Sequence, residues 1–209
     1  MCCIYFAFID NIPNTTLYKH KQLLPEHLKN RLNDITHDVS HTNSLNGLII
    51  ANKLLTDLQT GLSLHQLSYH NHGKPFLPNG YSISIAHSGN IVLCACSATC
   101  NLGVDLETLD NKDNLHYEDY LTPKEITTLR FANDPNIVFK QMWVRKEAVL
   151  KADGIGLLHP LNELDITHNT TQLNNNTYYL HNINIATGYV TALATTQPQC
   201  EVKVKEVSF

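Results

Sequence analysis

Asp105 and Glu107 stand two residues apart in the fragment GVDLE. On a strand that spacing sends both carboxylates to one face and turns Leu106 to the other. Two like charges on one face repel unless a positive charge sits between them, and a hard divalent cation with oxygen ligands meets that need. A solvated strand edge is the plain alternative for an isolated pair of this kind. A second group lies in WVRKEAVLKADGIGL. On a helix, Trp143, Glu147 and Lys151 fall at i, i+4 and i+8 along one stripe, with Lys146 beside it. An exposed Glu–Lys pair at that spacing is worth only about 0.2–0.5 kcal/mol to a helix. This stripe, however, carries the chain's single Trp. It also ends at Gly154-Ile155-Gly156, where backbone can approach a ligand closely. A third group lies in HGKPFLPNGYSISIAHSGN, with Lys74 in a Gly-Lys-Pro loop and His87 at a hairpin tip beside Ser88 and Gly89. His70 and His72 are too few to argue for zinc.

The elements that must hold these groups follow from the pattern of apolar residues. Residues 2–9 read as a buried strand. Helical patterns run from Pro25 to about Leu32 and from about Thr42 to Leu58, the second with Leu45, Leu48, Ile49 and Leu55 on a broad apolar face. YSISIA and IVLCACSA alternate as a hairpin around HSGN. NLGVDLE is a short strand. Thr122-Pro123-Lys124-Glu125 is a capping box with Pro at the first helical position, opening a helix to about Phe131. Asp134 caps a second helix, from Pro135 to about Lys151. Strands are expected near 163–167, 177–185, 188–195 and 201–207, with LNNNT as a turn-rich gap. The order is strand, two helices and a meander, and then the same again. This predicts an α+β fold of two similar lobes, 1–100 and 101–209, related as a pseudo-twofold duplication and forming one compact unit.

Composition narrows the function. The formal net charge of the 209 residues is −4, so nucleic acid is a poor partner and an anionic ligand needs a local basic cluster or a metal. Charged residues are only 16% of the chain, which argues against a halophilic or hyperthermophilic source. The six cysteines form no C-x-x-C pair and read as reduced core thiols. MCCIYFAFID has no basic leader and is too short to span a membrane. The expected protein is soluble, cytoplasmic and free of membrane contact.

Taken in order, GKP, AHSG, GVDLE and W-x-x-KE-x-x-x-K-x-x-G-x-G resemble the 4′-phosphopantetheinyl transferases, and in particular the larger, two-lobed type that activates surfactin-like synthetases. The motifs span roughly residues 73 to 157, and the flanking elements agree in order and number. The resemblance implies that coenzyme A lies in the cleft between the lobes. It implies that a serine of an apo acyl, polyketide or peptidyl carrier protein attacks the β-phosphorus and that 3′,5′-ADP leaves. It assigns Mg2+ to Asp105, Glu107 and Glu147, and makes Glu147, directly or through a water, the base for the serine proton. Lys151 would stabilise or protonate the leaving phosphate. Coenzyme A contacts would fall to Lys74, His87, Ser88, Asp105, Lys146 and Lys151. The carrier would meet residues 108–131, where Lys112, Lys124 and Arg130 are diluted by Asp110, Asp113, Glu118 and Asp119. Because one chain supplies both lobes, a monomer is expected.

Three departures qualify the match. Ala86 stands where the family has Ser, so a phosphate contact is expected to be missing. His27 follows Pro25-Glu26, with Lys29 and Arg31 shifted in register. Asn43 takes the place of an arginine for the 3′-phosphate, and an amide cannot make a charge-assisted bidentate contact. Two other readings use the same residues: a coenzyme A- or carrier-binding module without turnover, and an unrelated metal-dependent phosphohydrolase.

Overall fold

The computed structural model describes residues 1–109 and 117–209. The first lobe opens with β1 (Cys2–Phe8), followed by helices α1 (Asn14–Leu23), α2 (Glu26–Asn33) and α3 (Asp38–Asp57). Strands β2 (Ser68–Tyr69), β3 (Pro75–Phe76), β4 (Ser82–Ser88) and β5 (Ile91–Ser97) complete it. The second lobe runs β6 (Leu102–Thr108), α4 (Pro123–Arg130), α5 (Pro135–Asp153), β7 (Thr170–Leu173), β8 (Asn176–Asn182) and β9 (Tyr189–Thr195). A final strand, β10, spans Val202–Glu206. The fold is α+β, as expected. In the first sheet the order is β10-β1-β5-β4-β3-β2, and in the second it is β6-β9-β8-β7. In each, the first strand pairs with the last of its meander, so the two lobes repeat one topology.

Three expectations need correction. Helix α1 is absent from the sequence reading because NTTLYKHKQL has no apolar stripe; its residues are all partly or wholly exposed. No strand forms at 163–167. The backbone turns through a short 3-10 segment at Leu161–Glu163 instead, because the carbonyls of Leu161 and Leu164 accept hydrogen bonds from a buried ammonium, that of Lys146. Strand β10 leaves its meander and pairs in parallel with β1, from Cys2↔Val202 to Phe6↔Glu206. The turn-rich gap is real: Asn174 and Asn175, both at positive φ, join β7 to β8.

Alternation along β1, β4 and β5 gives the first sheet two apolar faces. Tyr5, Ala7, Ile83, Val92, Cys94 and Cys96 pack under α3. Ile4, Phe6, Ala86, Leu93 and Ala95 face Leu102, Val104 and Leu106 of β6. The far face of the second sheet takes α5, through Ala192 and Ala194 against Ala148 and Val149. The layers therefore run helix, sheet, sheet, helix. The free edge of β6 stands against β4. Its outward amides at Leu102, Val104 and Thr108 donate to the hydroxyls of Ser82, Ser84 and Ser88, each at 3.1 Å. Serine side chains here take the place of a neighbouring strand and satisfy amides that burial would otherwise leave unpaired.

Candidate functional site

Gly103 brings the reactive residues together. A Cβ built there would lie 2.2 Å from the Ala148 carbonyl and 2.3 Å from the Ala152 amide of α5. Only a residue without a side chain lets β6 run this close to the helix backbone. Asp105 and Glu107 share the face of Gly103, so both carboxylates look toward α5. Lys151 lies one turn beyond Glu147 on that helix. Its ammonium donates to Asp105 Oδ1 at 2.6 Å. Trp143, one turn the other way, packs edge-on against Tyr120 with ring centroids 5.4 Å apart.

The electrostatics of this group follow from burial and like charge. Burial pushes the Asp105 carboxyl above its usual range, and Lys151 pulls the other way. Burial pushes Glu147 up too, helped by Asp105 and Glu107 and opposed by Lys151. Lys151 thus sits among carboxylates, paired with Asp105 and near Glu147. The donor set suits a hard dication, with all-oxygen ligands and positions left for phosphate and water. The three carboxylates do not yet form a closed cage. Among the described residues, the only His/Cys/Asp/Glu group with ligand atoms all within 4.8 Å consists of three cysteines. Ser88 serves this cluster rather than an open pocket: its hydroxyl donates to Glu107 Oε2 at 2.7 Å and accepts the Thr108 amide.

Beside the cluster lies a cavity of about 370 Å3 between the lobes. Glu147, Lys151 and Gly154 line it from the second lobe; Arg31, Asn43, Lys74 and His87 line it from the first. The Arg31 guanidinium sits 3.8 Å from the centroid of the Tyr69 ring. The Asn43 amide and His87 Nδ1 are 3.4 Å apart. Burial, with Lys151 nearby, holds His87 below the usual imidazole range, so at neutral pH it offers an uncharged ring. Lys74 donates to the Ala152 carbonyl at the end of α5. Gly154 makes this possible. It takes the left-handed conformation that ends the helix, with φ +93°. A Cβ there would also lie 2.9 Å from Lys74 Cδ.

Of the expected coenzyme A contacts, Ser88, Asp105 and Lys146 do not line this cavity. Lys146 is wholly buried on the other side of α5, 2.7 Å from Glu125 Oε2 and bonded to the Leu161 and Leu164 carbonyls. It is a core ion pair and does not line this cavity, because the residue just before Glu147 points about 100° away from the stripe around the helix. Ala86 points into the apolar layer between the sheets, so a hydroxyl there would not face the cavity. Sequence reasoning, in turn, set Arg31 aside as out of register; it lines the cavity. Lys29 does not, being paired with Glu26 at 2.8 Å. On the expected carrier face, Lys124 pairs with Asp165 at 3.0 Å and Arg130 with Glu118 at 3.5 Å. Asp110, Lys112 and Asp113 lie outside the described residues.

Comparison with known proteins gives the following. Residues 101–194 match the family described as the 4′-phosphopantetheinyl transferase superfamily. The 4′-phosphopantetheinyl transferase HetI of Nostoc sp. (strain PCC 7120) is 33% identical over 116 residues, covering 51% of this chain and 48% of HetI. The 4′-phosphopantetheinyl transferase gsp of Aneurinibacillus migulanus is 32% identical over 103 residues, covering 48% of this chain and 43% of that one. The chain thus spans about half the length of these two relatives. The 4′-phosphopantetheinyl transferase Sfp of Bacillus subtilis (strain 168) is 22% identical over 181 residues, covering 81% of this chain and 80% of Sfp. The family resemblance read from the motifs is borne out. Among the described residues, no helix is long and apolar enough to cross a membrane.

Proposed function

We propose that this chain, whose residues 101–194 match the 4′-phosphopantetheinyl transferase superfamily, moves the 4′-phosphopantetheine group from coenzyme A to a serine of an apo carrier protein. The products are the holo carrier and 3′,5′-ADP. The observation that carries this reading is that Glu147 and Lys151, which line the cavity between the lobes, gather there with Asp105 and Glu107 just behind them.

Asp105, Glu107 and Glu147 would hold Mg2+, which when bound neutralises the pyrophosphate and makes its phosphorus more electrophilic. The rest falls to the chain's own groups. Glu147, held above the usual carboxylate range by burial and by Asp105 and Glu107, accepts the proton of the carrier serine as the serine oxygen bonds to phosphorus. The phosphorus–oxygen bond to the nucleotide breaks as that bond forms. Lys151 turns from Asp105 to the phosphate that leaves and meets its growing charge. Ser88 fixes Glu107 by hydrogen bond and so limits its rotamers. On the first-lobe wall, His87 and Asn43 offer neutral polar contacts, and Arg31 offers a planar cation suited to a phosphate or a stacked base. Asn43 in place of an arginine still predicts a reduced preference for coenzyme A over dephospho-coenzyme A, with Arg31 as the group able to restore it. Both cavity walls come from one chain, which supports a monomer as the working unit.

The test is mass spectrometry of a panel of apo carrier proteins after incubation with the chain, coenzyme A and Mg2+. At least one carrier is expected to gain the mass of one phosphopantetheine. Coenzyme A cleaved with no carrier modified would point instead to a phosphohydrolase. Coenzyme A bound and left intact would point to a binding module.

A further inference from the structure

Three cysteines that are far apart in sequence meet where the lobes join. Cys2 opens β1, Cys100 lies between β5 and β6, and Cys200 precedes β10. Their sulfurs all lie within 4.8 Å of one another, and those of Cys2 and Cys100 are 3.7 Å apart. All three are free thiols. Four sulfurs around one ion at metal–sulfur bonds of about 2.3 Å stand about 3.8 Å from each other. A disulfide needs sulfurs at about 2.05 Å. The Cys2–Cys100 spacing is that of a thiol–thiol hydrogen bond rather than a disulfide, and it already matches two ligands on one ion. Cys2 is fully buried and Cys100 nearly so, while Cys200 is half-buried and leaves an approach from solvent. The Ser97 hydroxyl, 3.5 Å from the Cys100 sulfur, lies within reach of a fourth position that water can also fill.

We propose that Cys2, Cys100 and Cys200 form a binding site for a thiophilic dication of the Zn2+ type, separate from the carboxylate cluster. The two donor sets sort metals by chemistry: sulfur selects soft or borderline ions, and carboxylate oxygen selects Mg2+. Binding replaces three S–H bonds by three metal–sulfur bonds and releases up to three protons to solvent. An ion here ties the start of β1, the junction between the lobes and the approach to β10 to one point. Its effect is on the joint between the lobes.

The test uses the full chain, reduced with a phosphine, stripped with a chelator and titrated with Co2+ in excess Mg2+. Sulfur-to-cobalt charge-transfer absorption is expected to saturate at one ion per chain, and Zn2+ to displace the cobalt and raise the Tm. In the unaltered chain, Zn2+ is expected to slow alkylation of Cys200 by iodoacetamide. Loss of a ligand should weaken Co2+ binding by at least as much as loss of an outer partner does, about tenfold or more, in Cys200→Ser. Cys3→Ala, outside the cluster, should keep the band. The proposal fails if the folded chain shows no sulfur-to-cobalt band, if Cys200→Ser binds Co2+ as tightly and with as strong a band as the unaltered chain, or if alkylation of Cys200 is unchanged by Zn2+. A Cys2–Cys100 disulfide formed in air that the chain then retains in the presence of Zn2+ would also overturn it.

Discussion

Helices α3 and α5 cover corresponding faces of the two sheets, and each contact passes through a position without a Cβ. In the first lobe that position is Gly47 on the helix, and a Cβ there would meet the Cγ2 of Ile85 at 2.6 Å. In the second it is Gly103 on the strand, where a Cβ would meet helix backbone. The side chains differ more. Helix α3 buries Leu45, Leu48, Ile49, Ile50, Leu54 and Leu55, and sends uncharged Asn43, Ser44 and Leu48 to the cavity. Helix α5 buries Lys140 and Lys146 and sends Glu147 and Lys151 to the cavity. The first-lobe helix supplies an uncharged part of the wall, and that lobe's cations there, Arg31 and Lys74, come from outside α3. The other surrounds its charges with partners, and that network holds the groups proposed to react.

The largest effect is expected inside that network. Lys146→Met leaves the Glu125 carboxylate buried without its counter-ion, which should cost about 3–5 kcal/mol in denaturant unfolding. Adding Glu125→Gln should recover part of the loss; no recovery would mean that the pair is not the cause. Next comes Glu147→Gln, expected to cut carrier modification by on the order of 10²–10³ in steady-state kinetics. The same variant bears on stability. A carboxyl with a raised folded pKa favours the fold below its unfolded pKa and loses that contribution as pH rises through the folded value. Metal-free Glu147→Gln should therefore be more stable than the unaltered chain at neutral pH. The gap should close on acidification toward the ordinary carboxylate range, and a constant gap across pH would contradict the assignment. Gly103→Ala follows, at about 1–3 kcal/mol, because the obstacle is backbone and α5 must move. Activity should fall with it, as Asp105 and Lys151 part. Gly47→Ala should be mildest. The obstacle is a side-chain methyl rather than backbone, stiff because Ile85 is β-branched, and alanine returns up to about 1 kcal/mol of helix propensity, so a smaller fall in Tm than for Gly103→Ala is expected. A loss equal to that of Gly103→Ala would erase the contrast between the lobes.

Much of this site was legible from spacing. A period of two put Asp105 and Glu107 on one face, and i, i+4 put Glu147 and Lys151 on one stripe. Both are local geometries. Capping chemistry located the starts of α4 and α5 for the same reason, since Thr122 and Asp134 accept amides only three residues away. What spacing could not give was everything set by distant partners. Lys146 turns inward because Glu125 waits there. Arg31 reaches the cavity because Tyr69, from strand β2, offers its ring. Ala86 looked like a lost phosphate contact, but the register of β4 against β5 aims it between the sheets. The thiol cluster joins residues 2, 100 and 200, a distance in sequence that no local motif spans.

The pairing of β10 with β1 also sets an order in time. Residues 2–6 leave the ribosome long before residues 202–206 exist, since synthesis runs from the N-terminus. Until then the outer edge of β1 carries unpaired amides and carbonyls, open to any other nascent strand. Closing the first sheet is thus a late event that joins distant parts of the chain, of the kind that slows folding. Once in place, β10 becomes the new edge. There Lys203 and Lys205, both exposed, present charge where β1 would have presented Cys3 and Tyr5. A nascent chain is vulnerable at that edge, and the finished one is guarded there.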